Sequence, residues 1–218
     1  MDMRRLQVAL DLTDLSRALS IASRVAEECD PKLLMLEAGT PLIKAEGIRA
    51  VRRLAEEFRE IPIVADMKTA DAGEVEAKLA IGNGASYTTV LAVASDETIA
   101  RVVDAAHRMG GKVIGDLMCV DDPLARALEL DELNVDVVCY HVPVDVQRAR
   151  GVDRASVAEV LGELASSLRA ELAVAGGITP ESAALYLEAG ADILVVGRYV
   201  YASPDPGEAA RELVELLL

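Results

Sequence analysis

The sequence has 218 residues, 52% of them hydrophobic, and its 37 acidic and 22 basic residues give a net charge of -15. This is enough apolar material for one large core, whereas the negative charge would repel a nucleic-acid backbone. No apolar run approaches the ~20 residues that a membrane span needs. Residues 1–5 lead directly into a predicted strand, which leaves no room for a signal peptide. We therefore expect binding to neither nucleic acid nor membrane.

The three cysteines, Cys29, Cys119 and Cys139, are far apart and form no CxxC pair. Disulfide bonds and a zinc site are therefore not expected. Because disulfides are rare in the cytoplasm, we expect the protein to be cytoplasmic. Because Cys119 and Cys139 occur in apolar, strand-like contexts, they are expected to pack in the core.

Short apolar runs alternate with longer amphipathic segments along the whole chain. Eight runs read as buried strands, at 6–11, 33–37, 63–66, 86–90, 113–116, 137–141, 172–175 and 193–196. Helical spacing of apolar residues is clearest at 48–58, 98–109 and 208–218. The longest irregular stretch, 143–153, is a candidate active-site loop.

Eight buried strands separated by helices indicate an all-parallel sheet covered by helices. Eight such units in about 220 residues predict a single (β/α)8 barrel, the TIM barrel, spanning 1–218. The alternative is an open doubly wound sheet. That fold usually has a glycine-rich loop after its first strand, and residues 10–14 contain no glycine.

Ionisable residues stand at the ends of five predicted strands. In a TIM barrel the chemistry occupies the carboxyl ends of the strands, so these side chains are expected to meet at one mouth. They are Asp11, Glu37, Asp66 (followed by Lys68), Asp116 and His141. The alternative for 66–71 is a structural ion pair with Asp71 capping the next helix. Clustering at the mouth favours catalysis.

Glu37 and Asp66 lie on neighbouring predicted strands and offer only oxygen ligands. Such ligands suit Mg²⁺, and no His/Cys cluster indicates zinc. The alternative is that Glu37 pairs with Lys68. His141 follows an apolar strand and is a candidate for proton transfer.

Two glycine-containing turns follow the last two strands. Gly176 and Gly177 precede a helix that begins near Pro180, where backbone N–H groups can approach an anion. Gly197 and Arg198 follow one βα unit later, and a guanidinium suits phosphate. Because barrels commonly bind phosphate in these two loops, the pattern predicts a phosphorylated small molecule.

Taken together, these positions resemble the orotidine 5'-monophosphate decarboxylase suprafamily over nearly the whole chain. Its signature, Asp-x-Lys-x-x-Asp at the end of strand three, corresponds to Asp66, Lys68 and Asp71. Glu37 stands where the orotidine monophosphate decarboxylase itself has lysine, which resembles the metal-dependent branch. The resemblance implies an aldolase that joins formaldehyde to ribulose 5-phosphate through an enediolate. The alternatives are decarboxylation of 3-keto-L-gulonate 6-phosphate, an orotidine monophosphate decarboxylase-like reaction, or a sugar-phosphate sensor without catalysis.

The resemblance also implies roles for the residues of the site. Glu37 and Asp66 would hold Mg²⁺, and His141 would move the proton beside the ketose carbonyl. Lys68, held by Asp11 and Asp66, would stabilise the enediolate. The remaining implied roles are orientation of hydroxyls or water by Asp116, phosphate binding by Gly176, Gly177, Gly197 and Arg198, and entry of Asp71 into a partner's site in a homodimer with shared active sites.

Overall fold

Eight parallel strands form one closed sheet in chain order, and the computed structural model describes residues 4–218 of the protein. The strands are β1 (Arg5–Leu10), β2 (Leu34–Ala38), β3 (Ile63–Thr69), β4 (Tyr87–Leu91), β5 (Lys112–Asp116), β6 (Val137–His141), β7 (Glu171–Ala175) and β8 (Ile193–Val196). The predicted TIM barrel is therefore confirmed. The signal-peptide prediction refers to residues 1–5, of which 1–3 lie outside the described residues.

Helices cover the outside of the sheet, one or two after each strand. They are α1 (Leu15–Glu28), α2 (Thr40–Glu46), α3 (Arg49–Glu57), α4 (Gly73–Gly82), α5 (Asp96–Arg108), α6 (Pro123–Glu132), α7 (Val144–Arg150), α8 (Arg154–Ser167), α9 (Pro180–Glu188), α10 (Arg198–Tyr201) and α11 (Pro206–Glu215). The last helix, α11, packs against α1 and completes the ring.

Alternation along the strands divides the core into two layers. On β1, Leu6, Val8 and Leu10 point outward and pack under the helices, because successive strand side chains face opposite sides. The barrel interior is filled by a second apolar cluster that includes Met35, Val64, Ile114, Val137 and Ile193. The interior is therefore a packed core, and the strand ends carry the polar groups.

A polar cluster closes the amino end of the barrel. The Arg5 guanidinium donates to the Glu171 carboxylate at 2.5 Å and to the Tyr87 hydroxyl at 3.0 Å. Lys112 Nζ lies 5.6 Å from the centre of the Tyr87 ring, within the range of a cation–π contact. These residues come from four strands and tie their first residues together.

The segment 143–153 was expected to be irregular, and this prediction is wrong in its centre. Helix α7 occupies seven of its residues, with Pro143 at the N-cap and Gly151 ending the helix at φ +75°. Bounding proline and glycine residues are typical of loops, and the helix buries no residue. Without a buried apolar face, this short helix has no periodic signal in the sequence.

Of the three predicted helices, 48–58 corresponds to α3 within one residue at each end, whereas the other two begin earlier than predicted. Helix α5 begins two residues early because the Ser95 hydroxyl accepts from the Thr98 N–H at 3.3 Å. Helix α11 begins at Pro206, since the Asp205 carboxylate caps it through the Glu208 N–H at 3.2 Å. In both helices the capping residue lies before the first residue of the apolar pattern, and the sequence prediction placed the helix start at that pattern.

Of the two cysteines predicted to pack in the core, only Cys139 does so. Cys119 is exposed and lies beyond the end of β5 with φ +65°. Its apolar neighbours in the sequence belong to the turn after β5, which is why the strand prediction failed there. None of the helices formed by residues 4–218 is long and apolar enough to cross a membrane.

Candidate active site

The carboxyl ends of five strands bring ionisable side chains to one mouth, as the sequence predicts. Glu37, Asp66 and Asp116 are almost completely buried, with exposed fractions of 5%, 4% and 3%. Lys68 and His141 are partly buried, and Asp11, just beyond β1, is exposed. Burying three carboxylates beside an otherwise apolar interior is costly without compensating partners, so the partners of each group are informative.

Lys68 lies between two of the buried carboxylates. Its Nζ is 3.0 Å from Asp116 Oδ2 and 3.2 Å from Asp66 Oδ2. Burial alone would lower the pKa of Lys68, but the charges of Asp66, Asp116 and Glu37 outweigh it and raise the pKa above its usual value. Asp66 therefore makes the predicted contact with Lys68, whereas the second direct partner is Asp116 instead of Asp11. The ammonium stays charged.

An irregularity in β3 places Lys68 in this position. The pairing with β4 shifts between Ala65 and Thr69, so four steps along β3 face two along β4. Lys68 has φ +46°, a conformation that is uncommon for a residue with a Cβ. Its backbone N–H donates to Thr89 Oγ1 at 2.8 Å. Such bulges redirect side chains near active sites.

Two threonine hydroxyls orient the Asp66 carboxylate. Thr40 Oγ1 donates to Oδ2 at 2.6 Å, and Thr89 Oγ1 donates to Oδ1 at 2.9 Å. Oδ2 also accepts from the Thr40 N–H at 3.3 Å and lies 3.2 Å from Lys68 Nζ. Oδ1, with its single hydrogen bond, is therefore the oxygen that keeps capacity for a further partner.

Asp116 and His141 form a second oriented pair. His141 Nδ1 is 2.9 Å from Asp116 Oδ2, and the Met118 N–H donates to Oδ1 at 2.9 Å. Burial would raise the pKa of Asp116, but His141 and then Lys68 lower it to about 2. The ionised Asp116 accepts from Nδ1–H, which leaves His141 Nε2 as the nitrogen for exchange with a bound molecule.

Glu37 has a different environment from the one that the alternative interpretation predicts. Its Oε2 accepts from Gln7 Nε2 at 2.6 Å, and it is not among the ion-pair partners of Lys68 within residues 4–218. Pairing of Glu37 with Lys68 is therefore wrong, because the bulge turns Lys68 toward Asp116. Burial, followed by the charges of Asp66 and Asp11, raises the pKa of Glu37 well above its usual value.

The donor set at the mouth fits a hard divalent cation. Glu37 and Asp66 are oxygen donors close enough for the Asp66 charge to raise the pKa of Glu37, so added positive charge there would be stabilised. No group of three or more His, Cys, Asp and Glu side chains within residues 4–218 is arranged around a metal position. Two protein carboxylates are nevertheless sufficient for Mg²⁺, which retains several waters and binds substrate oxygens.

Asp11 and Asp71 occupy the rim of the mouth. Asp11 approaches Gly39 and Gly197 so closely that a Cβ on them would lie 2.2 and 3.4 Å from its carboxylate oxygens. Partial loss of hydration among the surrounding groups of the mouth, followed by the Asp66 charge, raises the pKa of Asp11. Asp71 is exposed, and its carboxylate accepts from the Ala72 N–H at 2.7 Å. Asp71 does not cap α4, because that helix begins at Gly73 and Ala72, in the left-handed conformation, is its N-cap.

The Gly176–Gly177 turn requires glycine at both positions. Their φ values are +112° and +67°, and a Cβ on Gly176 would lie 2.5 Å from the Val142 carbonyl oxygen. Gln147 packs on this turn and donates from Nε2 to the same carbonyl at 2.6 Å. The close packing of backbone against the β6–α7 connection leaves no room for side chains, which is typical of a turn that presents its N–H groups to a ligand.

Arg198 begins α10 directly after Gly197 and β8. Its side chain is exposed and makes no hydrogen bond or ion pair within the described part of the chain. The guanidinium therefore has free donors for an anion. It also lines an open cavity of about 470 Å³ between α10 and α11, whose acidic lining residues Asp205, Glu208 and Glu212 do not suit an anion.

Three residues that sequence reasoning did not assign to the site take part in it: Gln7, Thr40 and Thr89. Gln7 shares a strand face with Asp11, because positions 7, 9 and 11 alternate to the same side. A glutamine at an inward-facing position of a buried strand could therefore have indicated a residue of the site. The threonines carry no such signal, since β-branched residues are common in strands.

Comparison with known proteins shows the family to which the chain is similar. A family profile described as orotidine 5'-phosphate decarboxylase / HUMPS family matches residues 4–213. A 3-hexulose-6-phosphate synthase from Methylomonas aminofaciens is 39% identical over 210 residues, which are 96% of this chain and 97% of that protein.

Two solved structures extend the comparison. A crystal structure of a 3-hexulose-6-phosphate synthase has a TM-score of 0.90 at 37% identity and covers 97% of this chain and 99% of its own. A 3-keto-L-gulonate-6-phosphate decarboxylase from Vibrio cholerae has a TM-score of 0.86 at 28% identity, with 99% and 97% covered. The similarity thus extends over the whole barrel.

Proposed function

Since this chain belongs to the orotidine 5'-phosphate decarboxylase / HUMPS family, we propose that it is a Mg²⁺-dependent aldolase. It joins formaldehyde to ribulose 5-phosphate to give D-arabino-hex-3-ulose 6-phosphate, or cleaves that product. The observation that carries this proposal is Lys68 held between Asp66 and Asp116 beside the buried Glu37. Nearly full-length similarity to 3-hexulose-6-phosphate synthases supports the choice of reaction.

The first chemical step is removal of the proton on the carbon next to the ketose carbonyl. His141 Nε2 accepts this proton, because Asp116 holds Nδ1 at 2.9 Å and fixes the ring. The resulting enediolate forms a carbon–carbon bond to formaldehyde, and the aldehyde oxygen takes up a proton to become a hydroxyl. Asp116 also orients substrate hydroxyls or water.

Stabilisation of the enediolate requires positive charge at its oxygens. Lys68 supplies a permanent ammonium whose position is fixed by two carboxylates before substrate binds, so no reorganisation is needed during the reaction. Glu37 and Asp66 would hold Mg²⁺, whose contribution when bound is Lewis-acid polarisation of the ketose carbonyl. Asp11 adds negative charge at the rim and favours retention of both cations.

The phosphate of the substrate binds away from the reacting carbon. Arg198 provides free guanidinium donors, and the N–H groups near Gly176, Gly177 and Gly197 complete the anion site. Binding energy from this remote group is used to position the carbonyl over Lys68.

We further propose a homodimer in which Asp71 enters the partner's mouth. Asp71 is exposed beside its own site and pairs with no cation within residues 4–218. A carboxylate from a second subunit would approach Lys68 from the open side of the mouth. The two sites of the dimer would then depend on both chains.

We also propose that the protein works in the cytoplasm. Cys29, Cys119 and Cys139 are all free thiols, and exposed thiols such as that of Cys119 persist in a reducing compartment.

The experiment is an assay of formaldehyde consumption with ribulose 5-phosphate and Mg²⁺, repeated with EDTA. Consumption that stops with EDTA and returns with Mg²⁺ supports the proposal, and Glu37→Gln should lower it at limiting Mg²⁺. The second candidate is decarboxylation of 3-keto-L-gulonate 6-phosphate, favoured by the similarity to the Vibrio cholerae enzyme. Release of carbon dioxide from that substrate without formaldehyde chemistry would replace the aldolase assignment.

A further inference from the structure

Gln7 is a polar side chain inside the apolar barrel. It lies on β1, only 3% exposed, and pairs in register with Met35 on β2 and Val195 on β8. Its Nε2 donates to Glu37 Oε2 at 2.6 Å. Its Oε1 is buried and has no hydrogen-bond partner in the described part of the chain.

Packing does not account for a glutamine at this position. A buried amide with an unpaired carbonyl is less stable than a satisfied one, and the surrounding interior is filled by apolar residues. Methionine has nearly the same length and would fill this space without a polar group. The single hydrogen bond that Gln7 makes is therefore the feature that distinguishes it from an apolar residue.

The orientation of the Glu37 carboxylate depends on Gln7 alone, whereas that of Asp66 is shared between two residues. Both oxygens of Asp66 receive hydroxyl hydrogen bonds, from Thr40 and Thr89. The only hydrogen bond to the Glu37 carboxylate from residues 4–218 comes from Gln7. The Gln7 amide donates to this carboxylate from its nitrogen, which leaves its own oxygen unpaired.

We propose that Gln7 is a positioning residue for metal binding, an inference that rests on the proposed function. It fixes one oxygen of Glu37 and thereby directs the other, Oε1, to the cation. Residues that orient a metal ligand typically change metal affinity by 10- to 100-fold when removed. The unpaired Gln7 oxygen is the structural cost of this orientation.

The test uses Gln7→Met in the full chain and measures Mn²⁺ affinity calorimetrically on metal-free protein. We expect the Kd for Mn²⁺ to rise about 10- to 100-fold. The melting temperature of the metal-free variant should change little, because removal of the unpaired Gln7 oxygen offsets the loss of the hydrogen bond to Glu37. A residue with a merely structural role would lower the melting temperature and leave the affinity unchanged.

Met35→Leu is the matched control, since Met35 is the register neighbour in the same interior and has no polar group. It should leave the Mn²⁺ affinity unchanged. If Gln7→Met fails to fold, Gln7→Asn keeps the amide but is one methylene too short to reach Glu37, and the same loss of affinity is expected.

The outcomes separate this inference from the function on which it rests. Weaker Mn²⁺ binding by the Gln7 variant alone supports the inference. Equal binding by wild type and variant overturns the role of Gln7 while the metal assignment of Glu37 and Asp66 stands. Failure of the wild type to bind Mn²⁺ overturns both.

Discussion

Replacing Lys68 by methionine tests the electrostatic core of the site. The substitution keeps most of the side-chain volume and removes the ammonium that lies 3.0 Å from Asp116 and 3.2 Å from Asp66. Two buried carboxylates then lose their shared cation. Breaking a buried ion pair by removing one partner costs about 3–5 kcal/mol, and the 23% exposure of the Lys68 side chain favours the lower end of this range.

The pKa of Asp116 gives an independent measure. Despite burial, which acts in the opposite direction, His141 and Lys68 lower this pKa from 3.8 to about 2, which corresponds to roughly 2 kcal/mol. Because the folded pKa is the lower one, this stabilisation is present above pH 4 and is lost as the pH falls toward 2. His141 contributes more to this shift than Lys68 does, so Lys68→Met removes only part of it. We expect a destabilisation of about 3 kcal/mol at pH 7 and a smaller one at pH 3.

Urea unfolding of wild type and variant at pH 7 and pH 3 measures both values, and turnover at pH 7 should be lost. Lys78→Met is the matched control, because Lys78 pairs with Glu74 on the surface of α4 with more than half of its side chain exposed. It should leave stability and turnover unchanged. An equal loss of stability at the two pH values, or an active Lys68→Met protein, would refute the reasoning.

Three further predictions concern other parts of the site. Gly176→Ala places a Cβ 2.5 Å from a backbone oxygen at φ +112°; we expect about 1–3 kcal/mol lower stability and a raised KM for the phosphate ester, measured by steady-state kinetics. Thr89→Val removes hydrogen bonds to Asp66 and to the Lys68 N–H; unfolding should show a loss of about 1–3 kcal/mol, with lower kcat, and an unchanged kcat would contradict a role in orientation. Mixing inactive Asp71→Asn and Lys68→Met proteins should restore about one quarter of wild-type activity if dimers share their sites, whereas no recovery after subunit exchange would count against sharing.

The sequence predicted the fold closely because every strand is an apolar run with clear boundaries. The prediction was least accurate at β3, expected at 63–66 and observed at Ile63–Thr69. The extension includes Lys68, a charged residue that interrupts an apolar pattern but stays in the sheet through the bulge. Helix α7 was missed for the opposite reason, since it buries no residue and leaves no periodic signal.

The members of the site could also be predicted, but their partners could not. Strand ends identify which charged residues reach the mouth, because parallel strands share a direction. The contact of Lys68 with Asp116 instead of Asp11 depends on the shift in pairing at Ala65–Thr69, which involves residues distant in sequence. Gln7 was missed because a single glutamine in an apolar strand has no visible partner until β1 and β2 are in register.

The polar cluster of Arg5, Tyr87 and Glu171 at the amino end of the barrel bears on the side from which molecules can enter the site. Together with the apolar interior it occupies the amino half of the barrel axis within residues 4–218, so for this part of the chain we expect molecules to reach Lys68 from the opposite end. Substrates, products and solvent must all use the carboxyl-end mouth. A sugar phosphate bound there would stand between the bulk solvent and the buried carboxylates, and the smaller aldehyde would have to pass beside it to react.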